Sequence, residues 1–332
     1  MILAALPDPT PFGDIIYAFL SILFEGAPYI LVGTILSGFI DAFLPAQLLD
    51  RVLPKNKILS TLMAGFLGLV FPVCECAVVP VVRRLVQKGL PISCAMTYLL
   101  SAPIINPIVI MSTLTAFNNF KAGEPNAPFD SANVTMMVAR ISLGYIVAVL
   151  FGLAMLRKKP ADILRPEVAA GIEGTGPDAK PKAVLKFDAK LIHAMRTAMR
   201  DFLDTAMYFS IGVMITAVFN TQVNQSAIQG VAGNDLLAVP SMMILAYVLS
   251  LCSTSDAFIA APMATFSVGA KLAFLVFGPM LDVKLSFMYS AVFRRRFVFG
   301  ISAALFIVVG LLSTPWAALV KAALAPLNLK PY

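Results

Sequence analysis

The sequence predicts an all-α, polytopic integral membrane protein of about eight transmembrane helices, built as two repeat-related four-helix halves with broken or re-entrant segments. Three observations predict it. The 332 residues have a mean hydropathy of +0.86, are 59% hydrophobic and only 13% charged, a balance that suits lipid rather than water as the main solvent. Apolar runs long enough to cross a bilayer, which takes roughly 20 residues, alternate with short polar or proline-marked breaks. Several polar interruptions recur in the same order in both halves of the chain.

Phe12 to Phe43 is the first apolar run and contains Glu25, Pro28, Tyr29 and Gly33. Leu44 to Lys57, with Pro45, Arg51, Pro54 and Lys55, is a polar connection. Ile58 to Val82 is the second span. Its Gly65 and Gly68 allow close helix approach, and it ends in Phe71-Pro72-Val73-Cys74-Glu75-Cys76-Ala77-Val78-Val79-Pro80. Two thiols and a carboxylate lie there between prolines, and a carboxylate at membrane depth usually faces a bundle interior or a wet cavity. Leu90 to Phe117 follows, broken by Ser101-Ala102-Pro103-Ile104-Ile105-Asn106-Pro107, where two prolines disfavour a continuous helix. Val134 to Leu156, with Arg140 near its start, is the fourth span.

From Arg157 to Arg200 the chain is rich in Lys, Arg, Pro and Gly and poor in aromatics, as a solvated linker is. Its end, Lys190 to Asp201, spaces basic residues and methionines as an interfacial helix would. Phe202 to Phe219, Leu236 to Met263, Ala270 to Ser290 and Phe297 to Leu319 complete the spans. The expected division is an N-terminal transmembrane repeat over 1–156, a cytoplasmic basic linker with an interfacial helix over 157–200, and a C-terminal transmembrane repeat over 201–332.

The repeat is weak but recurs in several places. Glu25, Tyr29 and Gly33 return as Asp204, Tyr208 and Gly212 at one constant offset. Cys74-Glu75 answers to Cys252-Ser253-Thr254-Ser255-Asp256, and Pro103-x-x-Asn106 to Pro279-x-x-Asp282. Matching interruptions in two halves point to a midplane site at their interface. Four spans per half make the halves parallel, with the basic linker inside. Arg294-Arg295-Arg296 disagrees with that parity, so Ala270 to Ser290 is re-entrant or the repeat is inverted.

The net charge of +7 and pI near 9.3 do not indicate a nucleic-acid binder, because the basic residues stand in short blocks beside apolar segments. The expected partners are the lipid bilayer and a small-molecule or ion substrate, with a homo-oligomer left open. Cys74, Cys76, Cys94 and Cys252 all lie in or beside apolar segments and read as free thiols. Met1 to Thr10 lacks a basic n-region and a cleavage site, so no removable signal peptide is expected. Neither a resident cofactor nor a structural metal is implied, and no Walker A pattern suggests ATP hydrolysis.

On a regular helix Cys74 and Cys76 would splay apart, whereas an unwound backbone lets both thiols face one way. Paired soft sulfurs suit Cu(I), Zn(II) or trivalent arsenic, with Cys252 as a candidate third ligand; simple packing is the alternative. Glu25, Glu75, Asp204, Asp256 and Asp282 are the intramembrane acids, of which Glu25 and Asp204 also fit helix ends at an interface. Glu75, Asp256, Asp282 and Lys284 are the proton-coupling candidates, although Asp282-x-Lys284 also fits a structural pair, and Lys271 is a second candidate countercharge. Cys74, Glu75, Cys76, Asn106, Cys252, Ser253, Ser255 and Asp256 form the candidate substrate site. His193, in the basic helix, is expected to be solvated.

The ordered set Pro72-x-Cys74-x-Cys76-x-x-x-Pro80, Lys88-Gly89, Ser101 to Pro107, Cys252-Ser253-x-x-Asp256-Ala257-Phe258 and Phe277-Gly278-Pro279-Met280-x-Asp282-x-Lys284 resembles the YraQ/ArsP family of predicted bacterial permeases over nearly the whole chain. That resemblance implies an inner-membrane permease of duplicated helical design, one branch of which exports trivalent organoarsenicals; Glu75 stands where relatives often carry a small or neutral residue. The expected function is thus a proton-coupled secondary transporter rather than an enzyme. A Zn or Cu permease or channel and an intramembrane thiol redox protein are the alternatives.

Overall fold

In the computed structural model, residues 11–44, 54, 56–71, 73–122, 131–170, 187–222, 235–263 and 265–324 are described, and every regular element among them is helical. Pro72, most of the connection after Leu44, the linker from 171 to 186 and the loop from 223 to 234 lie outside the described residues, as do the first ten residues.

Helix α1, Pro11–Phe43, runs 33 residues through Pro28 without stopping. It packs along α10, Phe187–Gln222, in antiparallel fashion: Gly26 faces Phe209, Gly38 faces Ala194 and Ala198, and Asp41 meets His193. Helix α10 corrects two expectations. The interfacial helix and the span after it are one 36-residue rod, so the division at 200/201 falls inside a helix. No Gly or Pro interrupts residues 187–211, and a helix propagates until something stops it.

The second expected span is not one continuous helix. It divides into α2, Lys57–Ala64, the short α3, Leu67–Val70, an extended Val73-Cys74, and α4, Glu75–Gln87. Thr61 lies against Gly152 and Gly65 against Tyr145, so α2 begins beside the linker end of α7, Ser131–Ala154. Helix α4 returns to that same end, where Lys88 is 3.6 Å from Asp41. The segment is therefore a hairpin, entered and left from the linker side. Leu90 to Phe117 is interrupted where the prolines indicate, into α5, Ile92–Ser101, and α6, Pro107–Ala122.

The start of the linker is docked rather than solvated. Helices α8, Pro160–Ile163, and α9, Pro166–Ala170, bury Ile163, Leu164 and Val168. Leu164 forms an antiparallel bridge with Phe293, Arg165 N–H donates to Val292 O at 3.0 Å, and Arg294 N–H donates to Ile163 O at 2.9 Å. These bonds put Arg294 on the linker side, the point at which the charge parity disagreed.

In the second half, α11, Asp235–Leu249, stops at Ser250, whose φ of 48° is the only positive value on a described non-glycine residue. The turn Ser250 to Ser255 leads into α12, Asp256–Ala260, so Leu236 to Met263 is not one continuous helix. Helices α13, Val268–Met280, and α14, Val283–Val292, are separated by extended Leu281 and Asp282, and α15, Arg295–Leu324, completes the chain. Among the described residues, five stretches are long and apolar enough to cross a membrane: Phe12–Phe43, Val134–Ala154, Phe187–Phe219, Val268–Val292 and Arg295–Leu324. Of these, the broken α13–α14 stretch is the most buried and α1 the least.

Helix α10 lies so close to α14 that a Cβ on Gly212 would stand 2.6 Å from Lys284 Cα, which is backbone and cannot swing away. Gly212→Ala is therefore expected to lower stability by about 1–3 kcal/mol. Thermal unfolding in detergent checks this, with Gly300→Ala, where nothing lies within 4 Å, remaining near wild type.

Candidate functional site

The two hairpin tips and the two helix breaks meet. Cys74 has extended backbone (φ −74°, ψ 171°) and stands at the N-cap of α4, so Glu75 and Cys76 open that helix. Glu75 is 1% exposed, yet it reaches across to the other half: it accepts from Ser253 Oγ at 3.0 Å and from Lys284 Nζ at 3.4 Å. Lys284 also donates to Ser250 O at 2.9 Å and lies 3.6 Å from Asp282, so one ammonium serves two carboxylates and a freed backbone carbonyl. Asp282 caps α14 by accepting from Leu285 N–H at 2.6 Å. Asn106 does the same for α6, accepting from Ile108 N–H at 3.0 Å while its amide donates to Val73 O at 3.4 Å. Side chains thus satisfy the backbone groups that the breaks release, as burial requires.

Asp256 takes a partner that the sequence reading did not assign. Arg140, 1% exposed on α7, donates to Asp256 Oδ2 at 2.6 Å, to Thr113 Oγ1 at 2.7 Å and to Ser253 O at 3.1 Å. The signal was present: a lone arginine inside an apolar span needs an acid, and unmatched acids were available. Three buried carboxylates, Glu75, Asp256 and Asp282, therefore share two buried cations, Arg140 and Lys284. Asp256 Oδ1 and Asp282 Oδ2 have no hydrogen-bond partner.

The thiols border this charged floor. Cys76 is buried beside Cys74, while Cys74 and Cys252 are half-buried and both lie within electrostatic reach of Tyr29, which is 50% exposed. Thr254 Oγ1 donates to Cys252 Sγ at 3.4 Å. Ser255 closes its own turn on Cys252 O at 3.0 Å rather than joining the cluster. Cys94 stands apart, 3.5 Å from Ser60. Among the described residues, no group of three or more His, Cys, Asp or Glu side chains is placed to hold a metal ion.

Two expectations change. Lys271 donates to Ala261 O at 3.1 Å and neutralises no acid of the cluster. Glu25 and Asp204 fall near the middles of α1 and α10 rather than at helix ends, and Asp204 pairs with Arg83 at 3.3 Å. His193 is solvent-exposed, as expected, and lies 3.0 Å from Asp41.

A multi-pass helical membrane protein whose hairpin tips and helix breaks close on buried, cross-chain charges has the features of a membrane permease rather than of an enzyme. The chain belongs to the ArsP_1 family, described as "Predicted permease", whose model matches residues 12–319. It is similar to the Bacillus subtilis UPF0718 protein YcgR, at 39% identity over 282 residues, covering 85% of this chain and 89% of that protein. A Streptococcus mutans protein named as a subunit of a two-component membrane permease complex is 35% identical over 286 residues, covering 84% and 87% of the two chains. No solved structure matches. The family and the helices together make this a multi-pass bacterial membrane protein.

Arg140→Ala strands the Asp256 carboxylate in the interior, and the expected cost is about 3–5 kcal/mol. The double variant Arg140→Met with Asp256→Leu removes both charges and is expected to recover most of that loss. Thermal unfolding of the purified proteins in detergent measures both, and a double variant as unstable as the single one contradicts this account of the pair.

Proposed function

We propose that the chain is a secondary permease of two inverted repeats that exports a small thiophilic solute, such as a trivalent organoarsenical, in exchange for protons. The observation that carries this reading is the convergence of hairpin tips and helix breaks from both halves on one buried cluster, with Glu75 bound to Ser253 and Lys284, and Arg140 to Asp256.

Inversion replaces the parallel arrangement because each half reads as three crossings and one hairpin, and three is odd. In the first half the crossings are α1, the broken α5–α6 and α7, with the hairpin ending in α4. In the second they are α10, the broken α13–α14 and α15, with the hairpin ending in α12. The packing supports this: α4 lies against α14 and α12 against α6, an exchange of equivalent elements between halves. On the same reading 1–156 and 201–332 remain the repeats, with α10 starting ahead of its boundary.

Cys74 and Cys252, half-buried at the edge of the cluster, supply soft contacts for arsenic or another thiophile, with Cys76 buried next to Cys74, and Asn106 ties the nearby helix break to the Cys74 tip. Glu75 and Asp282 share one lysine, so two carboxylates face a single ammonium, a charge balance that suits coupling to a cation. The name of the Streptococcus mutans relative also supports a partner subunit for this chain.

Two experiments test the reading. Asp282→Asn, reconstituted in proteoliposomes, is expected to lose proton-driven flux while still eluting as folded protein; wild-type flux removes Asp282 from the mechanism. Cys74→Ser with Cys76→Ser is expected to abolish protection against trivalent organoarsenicals in cells lacking their own exporters. Unchanged protection excludes thiol coordination of the solute.

A further inference from the structure

Helices α1 and α10 carry the same acid, tyrosine and glycine at four-residue steps: Glu25, Tyr29 and Gly33 in one, Asp204, Tyr208 and Gly212 in the other. The helices cross antiparallel with Gly26 against Phe209, so the two tyrosines lie at nearly one level while Asp204 is offset towards the linker side and Glu25 away from it. Their surroundings differ.

The acids of α10 towards the linker side, and Tyr208, are engaged. Arg83 reaches Asp204 at 3.3 Å, and Arg84 holds Asp201 by two bonds of 2.6 and 2.8 Å. Ser37 adds a third bond to Asp201 at 2.8 Å, and Arg165 of the docked linker donates to Tyr208 at 3.0 Å. Asp41 faces Lys88 at 3.6 Å, His193 at 3.0 Å and Thr197 at 3.4 Å. These bonds fasten the α4 arm of the first hairpin to α1 and α10. Asp201 is 1% exposed, so parting this layer requires charges to be rehydrated.

On the opposite side Glu25 is exposed and makes no ion pair or hydrogen bond among the described residues. Tyr29 is half-exposed, one turn from Gly33, which packs on Ala77 near the start of α4, the helix that Cys74 caps. Whereas α10 packs along α14, α1 has no packing of similar extent against α6, on which Ile108 and Met111 are each 60% exposed. A carboxylate near the middle of a membrane helix is costly in hydrocarbon and is accommodated in water.

We infer that Glu25 and Tyr29 line an open mouth through which solute exchanges with Cys74 and Cys252, while the Arg83, Arg84 and Lys88 layer closes the opposite, linker-side mouth. This rests on the carrier reading and adds its path. Carboxylate, phenol and thiol together suit a cationic or electron-poor thiophile rather than an anion. Opening the linker side requires Arg83 and Arg84 to leave Asp204 and Asp201.

The test uses the chain's own thiols. Membrane vesicles of both orientations are treated with a membrane-impermeant maleimide, and labelling of Cys74 and Cys252 is mapped by peptide mass spectrometry. Wild-type protein is expected to label from the face opposite the linker, and Arg83→Gln with Arg84→Gln to raise linker-side labelling several-fold. If that variant does not fold, Arg83→Cys with Asp204→Cys replaces it: oxidation is expected to block linker-side labelling and reduction to restore it. Wild-type labelling that is equal from both faces, or that comes from the linker face, overturns the assignment. So does an unchanged pattern in the folded variants. Labelling does not depend on flux, so the expected pattern with no transport by wild-type protein supports the path and rejects the proton-driven carrier.

Discussion

The structure depends on buried charge being matched across the chain rather than locally. Arg140 reaches Asp256 from a helix more than a hundred residues away, and Lys284 reaches Glu75 over a still longer separation. A buried ion pair is a weak source of stability, because removing two ions from water cancels most of their attraction, whereas losing one partner is severe. Such pairs therefore fix where the interrupted segments must meet, even though an apolar interior would hold the fold as well.

Small residues make that meeting possible. A Cβ on Gly33 would fall 2.8 Å from Ala77 Cα, and one on Gly68 at the same distance from Ala102 Cα. Both contacts bring an interrupted segment close enough to its neighbour for side chains to span the remaining gap. The glycine contacts supply proximity without chemistry, and the charges supply chemistry that only proximity can satisfy.

Much of this was legible in the sequence. Apolar length revealed the continuous helices, and proline with asparagine revealed the break between Ser101 and Pro107. Glu75, Asp282 and Lys284 announced themselves as charges in apolar surroundings, and they do converge. What length could not distinguish is a segment that crosses from one that turns back: Ile58 to Val82 is apolar enough for either, and its return follows from the fit of Lys88 to Asp41. On the proposed inverted-repeat reading, that turn makes the number of crossings in each half odd. Arg140 was visible but unassigned, because its partners lie on segments distant in sequence, and the linker's docking rests on backbone bonds to residues 292 and 294 that composition does not encode.

The merging of the basic segment with the following span has a mechanical meaning. A rod of 36 residues is about 54 Å long, well beyond a hydrocarbon layer of about 30 Å, so it must lean or protrude. Its first turns carry Lys190, Arg196 and Arg200, and farther along it presses Gly212 onto the backbone at Lys284. A thinner bilayer, or one richer in anionic headgroups, would change the lean of that lever and so strain the lysine on which two carboxylates depend, making lipid composition an input to the protein's working state.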